Sequence, residues 1–170
     1  MRFVGRHEHS LDVKGRIILP ARYRSSFDTL AYISKYKEGC LALWTPDAFE
    51  VMLDEMESIF DRSAHDRAMV RAWASGSTEV ELDRQGRVAI PGYLREFAQL
   101  EDAVLVHGAI KHIELWNPDE WTISGVPGDE ALADPTGTFA MGTSGSPTSS
   151  SPTDEPGHVG RSDQTRPSGA

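Results

Sequence analysis

One ten-residue stretch of this 170-residue chain occurs twice. Leu11-Asp12-Val13-Lys14-Gly15-Arg16-Ile17-Ile18-Leu19-Pro20 returns as Leu82-Asp83-Arg84-Gln85-Gly86-Arg87-Val88-Ala89-Ile90-Pro91, and both copies run on to an arginine, Arg24 and Arg95, at the same offset of 71. Leu43-Trp44-Thr45-Pro46-Asp47-Ala48-Phe49 then returns as Leu115-Trp116-Asn117-Pro118-Asp119-Glu120-Trp121 at an offset of 72. Two ordered matches at nearly one spacing identify a tandem duplication. Each copy spans about 50 residues, a size that buries only a marginal core alone. The two copies are therefore expected to interdigitate, or to oligomerise, so that they share one core.

Each copy reads as the same series of elements. Asp-x-x-Gly-Arg is a turn, because glycine supplies a positive φ cheaply and aspartate bonds the backbone ahead of it. Ile17-Ile18-Leu19 and Val88-Ala89-Ile90 are short buried strands. Pro20 and Pro91 end them and suit the first turn of a helix, over Ala21–Phe27 and Gly92–Ala98. Strand pairs follow: Ala31–Tyr36 with Cys40–Trp44, and Ala103–His107 with His112–Trp116. Pro46-Asp47 and Pro118-Asp119 then open further helices. The first copy carries an insert with two helical patterns, one through Phe49, Met52, Leu53 and Met56, the other through Met69, Val70 and Trp73. These helices are expected to pack against both modules and link them. From Pro127 onward the chain is Gly, Ser, Thr and Pro with few large apolar residues, a composition expected to stay disordered. The resulting division is a first module over 1–47, a helical linker over 48–76, a second module over 77–124 and a tail over 125–170.

A net charge of −9 excludes a molecule coated in basic surface but not a local basic face. Residues 1–24 hold Arg2, Arg6, Lys14, Arg16, Arg22 and Arg24 against only Glu8 and Asp12, so one end of the chain is locally cationic. There is no apolar run of the roughly 20 residues that span a membrane and no secretory leader pattern, so a cytoplasmic location is expected. The single cysteine, Cys40, excludes an internal disulfide and points to a small buried thiol.

The repeated basic turn carries the functional expectation. Arg16 and Arg87 leave the two turns beside Lys14 in one copy and Arg84-Gln85 in the other. In a DNA major groove, arginine bonds guanine N7 and O6 in bidentate fashion and glutamine pairs with adenine; lysine and the amides of Gly15 and Gly86 would meet phosphates. Asp12 and Asp83 would repel phosphate, so they are assigned to shaping the turn or orienting an arginine. The competing expectation is that Asp12–Arg16 and Asp83–Arg87 are ion pairs that only brace a turn. His7 and His9 share a strand face without a third ligand in view, and His107 and His112 flank a hairpin as structural or solvent-facing groups. Trp44 and Trp116 hold equivalent positions and read as core. No nucleophile elbow or phosphate loop occurs, so no catalytic residue, metal or cofactor is assigned and the chain is not read as an enzyme.

The paired Leu-Asp-x-x-Gly-Arg stretches ending in Pro20 and Pro91, with Phe3-Val4-Gly5 and the two Leu-Trp ends, resemble the MraZ family of bacterial transcriptional regulators over about residues 1–122. The resemblance implies an α+β, mainly β fold: two tandem AbrB-like swapped-hairpin modules sharing a core, with linking helices. It implies a nucleoid-associated homo-oligomer, a ring with its motifs outward, that binds direct repeats of double-stranded DNA. The target would be the promoter of a division and cell-wall gene cluster including its own gene, typically repressed. It maps DNA contact onto Asp12–Arg16 and Asp83–Arg87. Val13-Lys14 against Arg84-Gln85 is a departure between the copies, so they are not expected to read the same bases equally. The competing functions are a protein-interaction scaffold and an antitoxin-like partner that has kept the fold.

Overall fold

The computed structural model describes residues 2–133, and the expected disordered tail beyond them lies outside the described residues. Strand β1 (Phe3–Ser10) leads through the first turn into β2 (Arg16–Ile18) and helix α1 (Ala21–Arg24). Strands β3 (Leu30–Lys35) and β4 (Leu41–Trp44) follow, joined by a 3₁₀ turn at Lys37–Gly39. The insert forms α2 (Pro46–Phe60) and α3 (Ala64–Ser75). The second copy repeats the series as β5 (Thr78–Glu81), β6 (Arg87–Ala89), α4 (Gly92–Phe97), β7 (Ala103–Ile110), β8 (Ile113–Trp116) and α5 (Pro118–Ala133).

The strands of the two copies are exchanged. One six-stranded sheet runs β1-β7-β8-β4-β3-β5, and β2 pairs with β6 in a separate two-stranded ribbon. The first strand of each copy thus lies on the hairpin of the other: β1 on β7, from Phe3↔Ile110 to Ser10↔Ala103, and β5 on β3. Hairpins β3–β4 and β7–β8 meet edge to edge through β4 and β8. The main apolar cluster is therefore shared, with Phe3, Ile17, Leu19, Ile33 and Leu43 from the first copy against Val88, Leu94, Val106, Ile113 and Leu115 from the second. This is the shared core anticipated from the small size of each copy.

Local chemistry explains most element ends. Pro20 and Pro91 cap α1 and α4 at φ −50° and −54°. Helix α1 stops three residues short of the expected Phe27, because Ser26 N–H bonds the Tyr23 carbonyl and Phe27 N–H the Arg24 carbonyl, a three-residue spacing that tightens the chain. Strand β7 runs past the expected His107 to Ile110, since all eight residues of β1 pair with it. Thr45 caps α2 by accepting from Ala48 N–H at 3.4 Å, and Ser63 caps α3 by accepting from Asp66 N–H at 3.0 Å. Helix α5 takes in residues 125–133, a stretch read from sequence as the start of the tail. Asp129 to Ala133 are mostly compatible with a helix, and Pro127 is accommodated within it. No helix among the described residues is long and apolar enough to cross a membrane.

Helices α2 and α3 are held by first-copy residues: Phe49 stacks on Tyr32 at 4.3 Å and on Trp73 at 5.5 Å, beside Ala42 and Trp44. Leu53 and Met69, expected on the inner faces, are exposed. Cys40 is buried, and that burial pushes its thiol pKa up. His112 is structural: it lies buried, stacked on Trp44 at 4.3 Å, with Nε2 3.4 Å from Glu114 Oε1. Burial works against the charge on Glu114, but contacts from His107, His112 and the Trp116 indole N–H prevail and hold its pKa at about 2.

The exchange predicts how fragments behave. Residues 1–76 alone leave β1, β2 and β3 without β7, β6 and β5, so this fragment is expected to show no cooperative unfolding transition. Mixing it with residues 77–133 is expected to restore sheet circular dichroism. Cooperative folding of residues 1–76 as an isolated monomer would count against the exchanged topology.

Candidate nucleic-acid interface

Each repeated turn is organised by one aspartate. Asp12 Oδ1 accepts from the backbone N–H of Lys14 at 2.9 Å and of Arg16 at 3.0 Å. Its Oδ2 accepts from Arg16 Nε at 2.7 Å and lies 2.6 Å from Nη2. Gly15 N–H closes the turn on the Asp12 carbonyl at 2.8 Å. The second turn repeats this arrangement: Asp83 Oδ1 accepts from Gln85 N–H at 2.9 Å and Arg87 N–H at 3.0 Å, Oδ2 from Arg87 Nε at 2.7 Å, and Gly86 N–H donates to the Asp83 carbonyl at 2.8 Å. The Arg16 side chain is the main cause that holds the Asp12 pKa down at about 2. Asp83 is likewise lowered, first by the Arg87 backbone N–H. Both ion pairs are about one-third exposed, so their charge attraction is worth little. What they contribute is geometry, because each guanidinium has five N–H donors in a rigid plane and the aspartate fixes its Nε side.

The turns are locked by the opposite copy. Gly15 and Gly86 sit at φ +69° and +76°. Leu19 N–H donates to the Gly86 carbonyl at 2.9 Å, and Ile90 N–H to the Gly15 carbonyl at 3.0 Å. Arg95 lies across Gly15, where an added methyl group would fall 2.8 Å from its Cζ, and the stem of Arg24 lies across Gly86. Both arginines are anchored at Nε, Arg24 to the Leu19 carbonyl at 2.8 Å and Arg95 to the Ile90 carbonyl at 3.2 Å. The sequence marked these two arginines only as a recurrence at offset 71; nothing local in it said that each would close over the other copy's turn.

Between the turns lies the β2–β6 ribbon, with Arg16↔Ala89, Ile17↔Val88 and Ile18↔Arg87. Strand alternation sends Ile17 and Val88 into the core, where both are fully buried. Arg16, Ile18, Arg87 and Ala89 share the outer face. Arg16 and Arg87 therefore stand two ladder positions apart, about 7 Å along the strand direction. Val13, Lys14, Arg84 and Gln85 are exposed at the two tips. Gly15 and Gly86, expected to offer amides to phosphates, are instead buried with those amides turned into the turns. His7 and His9 do share a face, with rings 6.4 Å apart, but no group of three or more potential metal ligands occurs among the described residues.

Two matched, aspartate-braced basic turns at opposite ends of one exchanged ribbon define a duplicated swapped-hairpin protein. The family model described as "MraZ protein, putative antitoxin-like" matches twice, over residues 2–72 and 73–124. Among similar proteins named "Transcriptional regulator MraZ", that of Moorella thermoacetica is 40% identical over 119 residues, 70% of this chain and 83% of that protein. That of Alkaliphilus metalliredigens is 39% identical over the same length and shares of each chain. That of Desulfitobacterium hafniense is 37% identical over 132 residues, 77% of this chain and 92% of that protein. The chain belongs to the MraZ family. The solution structure of PHS018 from Pyrococcus horikoshii covers 69% of this chain and 100% of its own at 18% identity, with a TM-score of 0.31, a likeness too loose to bear on the fold.

Two outcomes follow from this geometry. Because the Asp12 pKa is depressed from 3.8 to about 2, its stabilising effect is full above the unfolded-state value and is lost as pH falls through about 2. Asp12→Asn is expected to lower urea stability at neutral pH, with the gap to wild type narrowing below about pH 4. Gly86→Ala is expected to cost about 1–2 kcal/mol from backbone strain, plus a steric part against Arg24. Adding Arg24→Ala should relieve the steric part, so a double-mutant cycle in denaturant should show coupling between the two positions.

Proposed function

We propose that the protein is a DNA-binding transcriptional regulator that reads the major groove with the β2–β6 ribbon and its two turns. The observation that carries this is the outward pair Arg16 and Arg87, each held on its Nε side by an aspartate on a two-stranded ribbon of the kind a major groove admits. With Nε occupied, and Nη2 also against Asp12 in the first turn, the remaining Nη N–H groups are left to meet guanine N7 and O6. Lys14 supplies a phosphate contact, while Arg84 and Gln85 supply base-edge contacts to guanine and adenine. Gly15 and Gly86 shape the site, as do Asp12 and Asp83. The names of the related proteins support a regulatory role, and the resemblance supports the finer reading: a cytoplasmic, nucleoid-associated homo-oligomeric ring on direct repeats upstream of its own gene and a division and cell-wall cluster, acting as a repressor. Several weak contacts on one ring would combine through effective concentration. The segments 1–47, 48–76 and 77–124 then serve as module, linker and module.

Fluorescence anisotropy with double-stranded DNA from upstream of the protein's own gene tests this. Binding is expected to weaken steeply with salt. Arg16→Ala and Arg87→Ala are each expected to cost about 10- to 100-fold, in proteins whose assembly state is unchanged. A folded oligomer that ignores this DNA at low salt would instead favour a scaffold or an antitoxin-like partner.

A further inference from the structure

The two turns share one backbone and one bracing scheme, yet display different chemistry at their tips. Val13 occupies the position of Arg84, and Lys14 that of Gln85. Val13 is 104% exposed, the most exposed of the large apolar side chains among the described residues. No contact in the fold accounts for a β-branched apolar side chain there. The turn around it is also rigid: the carboxylate of Asp12, the carbonyl of Gly15 and the side chain of Arg95 fix its backbone. A rigid apolar tip beside Lys14 and Arg16 matches the one apolar feature of the major-groove edge, the 5-methyl group of thymine.

We propose that Val13 is a specificity-determining residue that packs against a thymine 5-methyl group, so that the first turn reads an apolar edge where the second, with Arg84 and Gln85, reads a polar one. This rests on the DNA-binding reading above. The ribbon is close to two-fold in its backbone but unequal in its tips. Protein symmetry is mirrored in the symmetry of the bound site, so unequal tips call for an asymmetric site engaged in one orientation, with a thymine under Val13.

The test replaces each thymine of the bound DNA in turn by deoxyuridine, which removes only the 5-methyl group, and measures affinity for wild type, Val13→Ala and Arg84→Ala. Wild type is expected to lose about 3- to 5-fold at one thymine of a single repeat. Val13→Ala is expected to be indifferent at that position, and Arg84→Ala to keep the wild-type sensitivity. Val13 packs against nothing, so its replacement leaves the fold intact. Tight binding that no deoxyuridine weakens, or a Val13→Ala protein as sensitive as wild type, overturns the thymine contact alone. Failure of wild type to bind the natural DNA overturns the DNA-binding reading and this inference with it.

Discussion

The pairing of β2 with β6 is the constraint on which the rest of the molecule depends. Only three residues of each strand take part, but they set the relation between the two copies. Their inner residues, Ile17 and Val88, enter the common core. Their outer residues bring Arg16 and Arg87 to one face. The hydrogen bonds just beyond them, Leu19 N–H to Gly86 and Ile90 N–H to Gly15, dock each turn onto the opposite copy. Slipping this register by one residue would send Arg16 and Arg87 into the core and Ile17 and Val88 into solvent, so core and interface are specified by the same few pairs.

That coupling ties down the turns although they are surface features. A loop of four residues ordinarily has wide conformational freedom, and holding it costs entropy. Here the backbone N–H groups of Lys14, Gly15 and Arg16 are all satisfied within the turn, and an arginine from the other copy covers the glycine. A ligand meeting such a turn need not supply the ordering free energy, which is the physical content of preorganisation.

Much of this was legible in the residues. The duplication, the Asp-x-x-Gly-Arg turns, the bracing of arginine by aspartate and the burial of Cys40, Trp44 and Trp116 all follow from local pattern. What sequence did not reveal was which copy each strand would join. Ile17-Ile18-Leu19 has the same apolar character whether it pairs within its own repeat or across to Val88-Ala89-Ile90, so local pattern is indifferent between the two. The cross-docking of Arg24 and Arg95, and the length of β7, were hidden for the same reason, since both are products of the exchange. Helix α5 was underestimated because Gly125, Pro127 and Gly128 are poor helix formers that dominate the local composition. Val13 was seen only as a difference between copies; its complete exposure is a fact of the folded turn.

The pairing of β1 with β7 also has a consequence in time. Phe3 finds its partner at Ile110, so during synthesis β1 waits for some hundred further residues to be made before it can be matched. A chain of such long-range pairings folds slowly, and through synthesis it carries a free strand edge able to accept any complementary strand. The nearest identical supplier is a neighbouring nascent copy on the same message. Exchange within one chain and exchange between two chains satisfy the same hydrogen bonds, and the linker through α2 and α3 tips that competition by keeping the correct strand at high local concentration.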